Sequence, residues 1–208
     1  QENKDDTAYE MVVTARGVAK AAEILAGQFT LVATNVPYLG AKKQDDLLKA
    51  YCERVHPEAK ADLATCLVER CLNFCTVGSS TALVTPQNWL FLATYRKLRQ
   101  RLLAEDQLNS VARLGTGAFE TISGEVVNVA LLAFTRRVPS EVHVFVGVDA
   151  SEPRDISTKA ATLRRGVLVI VNQQGQTESS DARVTLEDRD DMAKLEDFAS
   201  NHQGLSTR

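Results

Sequence analysis

Metal-binding and disulfide-scaffold chemistry is what this sequence has least material for. Its four cysteines, Cys52, Cys66, Cys71 and Cys75, contain no Cys-x-x-Cys pair, and its three histidines, His56, His143 and His202, are scattered. A zinc site needs closer pairing, so reduced, structural thiols are expected, three of them on one predicted helix where cysteine acts as a small buried hydrophobe. Excess positive charge is also missing: the net charge is −3, which gives the chain as a whole no non-specific attraction to nucleic acid. No apolar run is long enough to cross a bilayer and no signal-peptide pattern is present, so a cytoplasmic protein without a membrane partner is expected. An initiator methionine and any internal repeat are absent too; the start at Gln1 reads as that of a fragment or a processed chain.

What is present suffices for a core. The chain has 208 residues, 44% of them hydrophobic and 25% charged, which suits one domain, or one and a piece. The pattern predicts a frayed start over 1–6, a short helix over 18–25 closed by Gly27, a strand over 29–33, and a polar helix over 44–55 stopping before Pro57. Residues 60–75 read as an amphipathic helix with Leu63, Cys66, Leu67, Cys71 and Phe74 on one face. A strand over 81–85, a helix over 93–104 and strands over 108–114 and 126–134 follow. Alternating strands and helices imply a parallel sheet with crossover helices, and the close spacing of the last two strands implies an antiparallel return. Beyond Pro139 two further strands, over 142–148 and 166–171, flank a polar stretch, and a charged end closes the chain.

Basic residues gather at Arg96, Lys97, Arg99 and Arg101, and again at Arg136-Arg137. The first group reads as the solvated face of a helix that turns Leu98, Leu102 and Leu103 inward. Gly115-Thr116-Gly117 follows a strand and invites a dinucleotide-loop reading, but it lacks a third glycine and a convincing crossover helix, so a plain loop is expected.

The most informative segment is Asn35-Val36-Pro37-Tyr38-Leu39-Gly40, directly after the first strand. A ligand loop belongs at the carboxyl end of such a strand. These residue types suit methylation of a planar exocyclic amine, whose delocalised lone pair makes it a poor nucleophile that has to be held, not deprotonated. The Asn35 side-chain oxygen and the Val36 carbonyl can each accept one N–H bond, leaving the nitrogen's density aimed at a methyl donor. Pro37 stiffens the turn and Tyr38 offers a face for stacking. Taken alone, Asn-x-Pro-Tyr favours a plain strand-ending turn.

In combination, several segments resemble the catalytic domain of the γ-class adenine-N6 DNA methyltransferases of restriction-modification systems and of PglX-like phage-exclusion enzymes. In that family the loop is Asn-Pro-Pro-Tyr, usually followed by Leu-Gly. Its Asp-Leu-Tyr helix is matched by Asp62-Leu63-Ala64, and its Thr-Pro strand end and Trp-x-Phe-Leu by Thr85-Pro86 and Trp89-Leu90-Phe91-Leu92. Tyr95-Arg96-Lys97-Leu98-Arg99 resembles the helix that follows, and Leu114-Gly115, Ala118-Phe119-Glu120 and Gly124-Glu125-Val126-Val127 resemble the last hairpin. The likeness covers residues 18–137; Gln203-Gly204-Leu205-Ser206-Thr207 is faintly like the approach to a target-recognition region.

The resemblance implies an α/β, Rossmann-like class I methyltransferase fold, of which this chain is the C-terminal half of the sheet: parallel strands plus an antiparallel terminal hairpin. Residues 1–137 would complete the catalytic domain, and 138–208 would be a connector or the start of a following region. It also implies adenine-N6 methylation of double-stranded DNA with S-adenosylmethionine, in the full-length parent and not in the fragment alone. Asn35, Val36, Pro37 and Tyr38 would be catalytic. Asp62 and Leu67 would contact the cofactor, although by themselves they read as a helix first-turn acid and a core leucine.

Two departures stand out. Val36 replaces the family's first proline, and nothing before residue 29 supplies its glycine-rich cofactor loop, which is expected upstream. The first strand would then be an open edge prone to self-association. The alternatives are a methyltransferase acting on RNA guanine or protein glutamine, and a non-catalytic DNA- or protein-binding module.

Overall fold

The computed structural model describes residues 2–118, 127–179 and 181–186. Its strands are β1 (Phe29–Asn35), β2 (Cys75–Pro86), β3 (Gln107–Gly115), β4 (Val129–Thr135), β5 (Val144–Asp149) and β6 (Val169–Asn172), joined in one mixed sheet in the order β1-β2-β4-β3-β5-β6. β1 pairs with β2, and β3 with β5, in parallel, whereas β4 is antiparallel to both β2 and β3, and β6 to β5. It follows that β1, β2, β3 and β5 run one way and bring their carboxyl ends to one edge of the sheet. This is the expected α/β architecture, antiparallel β3–β4 return included; the loop expected at 120–125 lies outside the described residues.

The helices are α1 (Glu2–Ala26), α2 (Asp46–Val55), α3 (Leu63–Phe74), α4 (Arg96–Glu105), α5 (Ile156–Arg165) and α6 (Gln173–Glu178). α1 starts far earlier than the helix expected over 18–25 and removes the expected fraying over 2–6. Its proline-free sequence carries six alanines and three glutamates, good helix formers that favour the helix. Gly27 ends it, donating its N–H to the Ile24 carbonyl at 3.1 Å. α2 is capped by the Asp45 side chain, which accepts from Leu48 N at 2.8 Å, and stops at His56 before Pro57 as expected.

α3 crosses over between β1 and β2, and α4 between β2 and β3. Their apolar faces carry Cys66, Val68, Cys71, Leu98 and Leu102 into a core shared with Leu83, Val111 and Phe134 of the sheet. All four cysteines are buried and unbridged. Burial raises the Cys66 thiol to about 12 and the Cys71 thiol to about 11, which keeps both protonated and unreactive.

Three findings add to the sequence reading. First, the sheet continues past residue 137: β5 pairs with β3 through Ser110 to Arg113, and β6 pairs with β5. Without β5, the apolar strand β3 would be left as an edge. Second, Arg99 is not on a solvated face: it is fully buried, and its guanidinium donates to the carbonyls of Trp89, Leu92, Asp181 and Ala182 at 2.7–2.9 Å. Third, Arg101 is tied into ion pairs with Glu58 and Glu69, and Glu69 Oε2 lies 2.5 Å from His56 Nδ1. Gly115 and Gly117 form a plain loop, as expected, with φ of +62° and +70°; a side chain on Gly115 would meet the Ser151 backbone at 2.9 Å.

Candidate active site

At the carboxyl end of β1 the loop leaves the sheet at Asn35, which lies opposite Val84 of β2. The Asn35 side chain is exposed and has no hydrogen bond to any described residue, so its amide is free to engage a ligand. Val36 is buried at 3% exposure, and its N–H donates to the Val84 carbonyl at 3.3 Å, extending the parallel ladder one residue past the strand. Pro37 is exposed and Tyr38 half-buried.

Past Tyr38 the backbone is pinned. Leu39 N–H donates to Asp62 Oδ1 at 3.2 Å, and the Leu39 carbonyl accepts from Leu63 N and from Gln44 Nε2, each at 3.0 Å. Gly40 and Asp62 form an antiparallel bridge, and Ala41 N–H donates to the Ala61 carbonyl at 3.0 Å. The loop therefore spans two anchors, the β2 ladder at Val36 and the start of α3 at Leu39.

Asp62 is the N-cap of α3: the same Oδ1 accepts from Ala64 N at 2.8 Å. Its second oxygen has no hydrogen bond to a described residue, and a side chain on Gly40 would come within 3.9 Å of it. Tyr38, Lys42, Asp62, Pro86 and Asn88 line a depression of about 550 Å³. Burial, then the Asp62 carboxylate, pushes the Tyr38 hydroxyl up to about 12, so it stays protonated. That hydroxyl is buried and, among the described residues, has no hydrogen-bond partner; the same is true of Gln44 Oε1.

The structure thus gathers Tyr38 and Asp62 at one depression; Asn35, Val36 and Pro37 precede Tyr38 in the same loop and are not among the residues lining it. Leu67 is not among the residues lining it and packs half-buried against the core. Thr85-Pro86 and Trp89 have a structural logic: Trp89 is buried and donates its indole N–H to Thr85 Oγ1 at 3.1 Å, setting Pro86 and Asn88 at the rim. Sequence reasoning missed Gln44, which it took for the first residue of a polar helix. Among the described residues no helix is long and apolar enough to cross a membrane.

The model of the Eco57I restriction-modification methylase family matches residues 1–119. The adenine-specific methyltransferase PglX of Lacticaseibacillus casei (strain Zhang) is 34% identical over 112 residues, which is 54% of this chain and 9% of that protein. The adenine-specific methyltransferase BrxX of Escherichia coli O9:H4 (strain HS) is 36% identical over 104 residues, or 50% of this chain and 9% of the relative. Against solved structures, the fold is similar to that of a nuclease-deletion mutant of the Type ISP restriction-modification enzyme LlaGI in complex with a DNA substrate mimic. That match has a TM-score of 0.59 at 13% identity and covers 79% of this chain and 19% of that one. The DrdV–DNA complex matches with a TM-score of 0.56 at 14% identity, covering 74% and 18%. A type I restriction-modification assembly matches with a TM-score of 0.55 at 14% identity, covering 83% and 41%.

Proposed function

Since the chain belongs to the Eco57I restriction-modification methylase family, we propose that it carries the target-amine side of an S-adenosylmethionine-dependent adenine-N6 DNA methyltransferase. The observation that supports this reading most is the unpaired Asn35 amide next to a Val36 whose N–H is committed to Val84. Fixing the Val36 N–H holds the Asn35–Val36 peptide, which lies between the Asn35 side chain and the Val36 carbonyl, the two groups that would accept the amine hydrogens.

In this reading the bound cofactor supplies an electrophilic methyl group on sulfur. Asn35 Oδ1 and the Val36 carbonyl hold the N6 hydrogens, so the nitrogen lone pair turns out of the ring plane toward that methyl group. The two acceptors would keep the amine oriented while it took up the methyl group, and the proton then shed by the nitrogen would leave to water. No residue with a shifted pKa has to act as base. Tyr38 stacks on the extruded adenine; extrusion costs about a few kcal/mol and stacking returns about 1–3 kcal/mol. Asp62 suits the cofactor because it lines the depression and its second carboxylate oxygen, without a hydrogen bond to a described residue, can accept from a hydroxyl or amine. Leu67, packed against the core one and a half turns along α3, does not line the depression, and its proposed cofactor contact rests on the family's pattern alone.

Double-stranded DNA is the proposed partner; two of the similar structures, LlaGI and DrdV, are themselves DNA complexes. β1 is the proposed self-association edge, since one of its sides has no strand neighbour among the described residues. The test offers methyl-labelled S-adenosylmethionine and the full-length protein to duplex DNA, RNA and protein in parallel. Label in DNA is expected. Label confined to RNA or protein would move the reaction to another planar amine or amide, and none at all would favour a non-catalytic module.

A further inference from the structure

Gln44 is nine-tenths buried between the short turn Ala41–Lys43 and the N-cap of α2, yet only one end of its amide is used. Its nitrogen donates to the Leu39 carbonyl at 3.0 Å, while its oxygen is buried without a partner among the described residues. A half-satisfied buried amide is a poor way to stabilise a fold, because the orphaned oxygen loses its water and gains nothing. An apolar side chain of the same length would fill the space without that loss. What such a side chain would not supply is the bond to Leu39.

That bond is one of three on the main chain of Leu39, whose N–H and carbonyl belong to two successive peptide units. Asp62 takes the Leu39 N–H, while Leu63 N and Gln44 Nε2 both reach the Leu39 carbonyl. The Asp62 and Leu63 contacts come from the start of α3, and the Gln44 contact comes from the segment just before α2. Together they hold the two peptides on either side of the Leu39 Cα, the first of which carries the Tyr38 carbonyl. A valine at position 36 gives this loop more backbone freedom than a proline would, so the restraint at its far end matters more.

We infer that Gln44 is a positioning residue for the methyl-transfer loop, acting through the Leu39 carbonyl and touching neither cofactor nor base. The inference rests on the function proposed above. Its test uses the Gln44→Met variant of the full-length protein with three readouts: thermal midpoint, methyl-transfer kinetics, and amide hydrogen exchange over residues 36–41.

The expected result is an unchanged or raised midpoint, faster exchange across the loop, and a kcat lower by about tenfold, since small misplacements at a reacting centre cost up to about a hundredfold. The KM for S-adenosylmethionine should stay within about twofold of the unaltered protein. Unchanged exchange and kcat would overturn the inference, as would a lowered midpoint that accounts for the lost activity. A wild-type protein with no methyl transfer would refute the proposed function alone, because loop exchange in Gln44→Met still decides the role of Gln44.

Discussion

Val36 donates its N–H to the Val84 carbonyl at 3.3 Å, a bond that the proline found here in related loops cannot make. The ladder bond takes over part of the restraint a proline ring supplies. Val36→Pro is therefore expected to cost about 1 kcal/mol of stability by stranding the Val84 carbonyl, while methyl transfer continues because the residue 36 carbonyl is kept. Denaturant melts and initial rates check this; a rate drop beyond about a hundredfold, some 2.7 kcal/mol, would mean that the N–H itself is needed.

Tyr38 makes a prediction with a pH sign. Its hydroxyl is buried without a partner among the described residues and is raised to about 12, burial being the main cause and Asp62 the second. A phenol harder to ionise in the fold than in the unfolded chain contributes stability that is complete below the ordinary tyrosine range and is lost as pH rises from about 10 toward 12. Tyr38→Phe should thus leave stability at neutral pH unchanged or slightly higher and flatten the alkaline decline. Its ring still stacks, so activity should stay within about threefold of wild type, whereas Tyr38→Ala should lose the stacking worth about 1–3 kcal/mol. Melting curves and rates between neutral and strongly alkaline pH read both effects.

Asp106 offers a second titration at the opposite end of the sheet. Burial, then the neighbouring Glu105 carboxylate, lifts it to about 6. A raised carboxyl contributes stability at low pH that is lost as pH climbs from about 4 to about 6, so the ionised group is a burden at neutrality. Asp106→Asn is expected to raise the thermal midpoint at neutral pH by an amount worth about 1–3 kcal/mol, with no gain below pH 4. A gain independent of pH would point to a packing effect instead.

Arg99 tests the buried side of α4. Its guanidinium serves four main-chain carbonyls, and its pKa falls only to about 10, chiefly through burial, so it remains charged at neutral pH. A lysine cannot reproduce the planar fork. Arg99→Lys should cost about 2–4 kcal/mol, visible as a lower denaturation midpoint. A variant as stable as wild type would contradict the bonding described.

How much of this was readable beforehand follows from the range of the interactions. The loop from Asn35 to Gly40, the helix around Cys66 and the strands β1 to β4 were legible because hydrophobic period and turn residues act over a few positions. Arg99 was misread as solvated because two of its four acceptors lie 82 and 83 residues away. Glu69 likewise finds Arg101 from 32 residues away, and nothing in the helix pattern marks it as buried. β5 was seen as a strand but not as a member of the same sheet, since its parallel pairing with β3 leaves no local trace. At the candidate site, the loop carrying Asn35 and Tyr38 was singled out by its residue types, whereas Gln44 was not, because its one bond depends on how the chain returns past Leu39.

In the proposed reaction Asn35 holds the target amine. Nucleoside mass spectrometry on DNA incubated with S-adenosylmethionine and either the full-length protein or its Asn35→Ala variant tests it most directly. N6-methyladenine is expected from the wild type and a loss of at least about a hundredfold in the variant, with an unchanged melting temperature because the Asn35 side chain is exposed and has no hydrogen bond to a described residue. N6-methyladenine formed equally well by Asn35→Ala would contradict it.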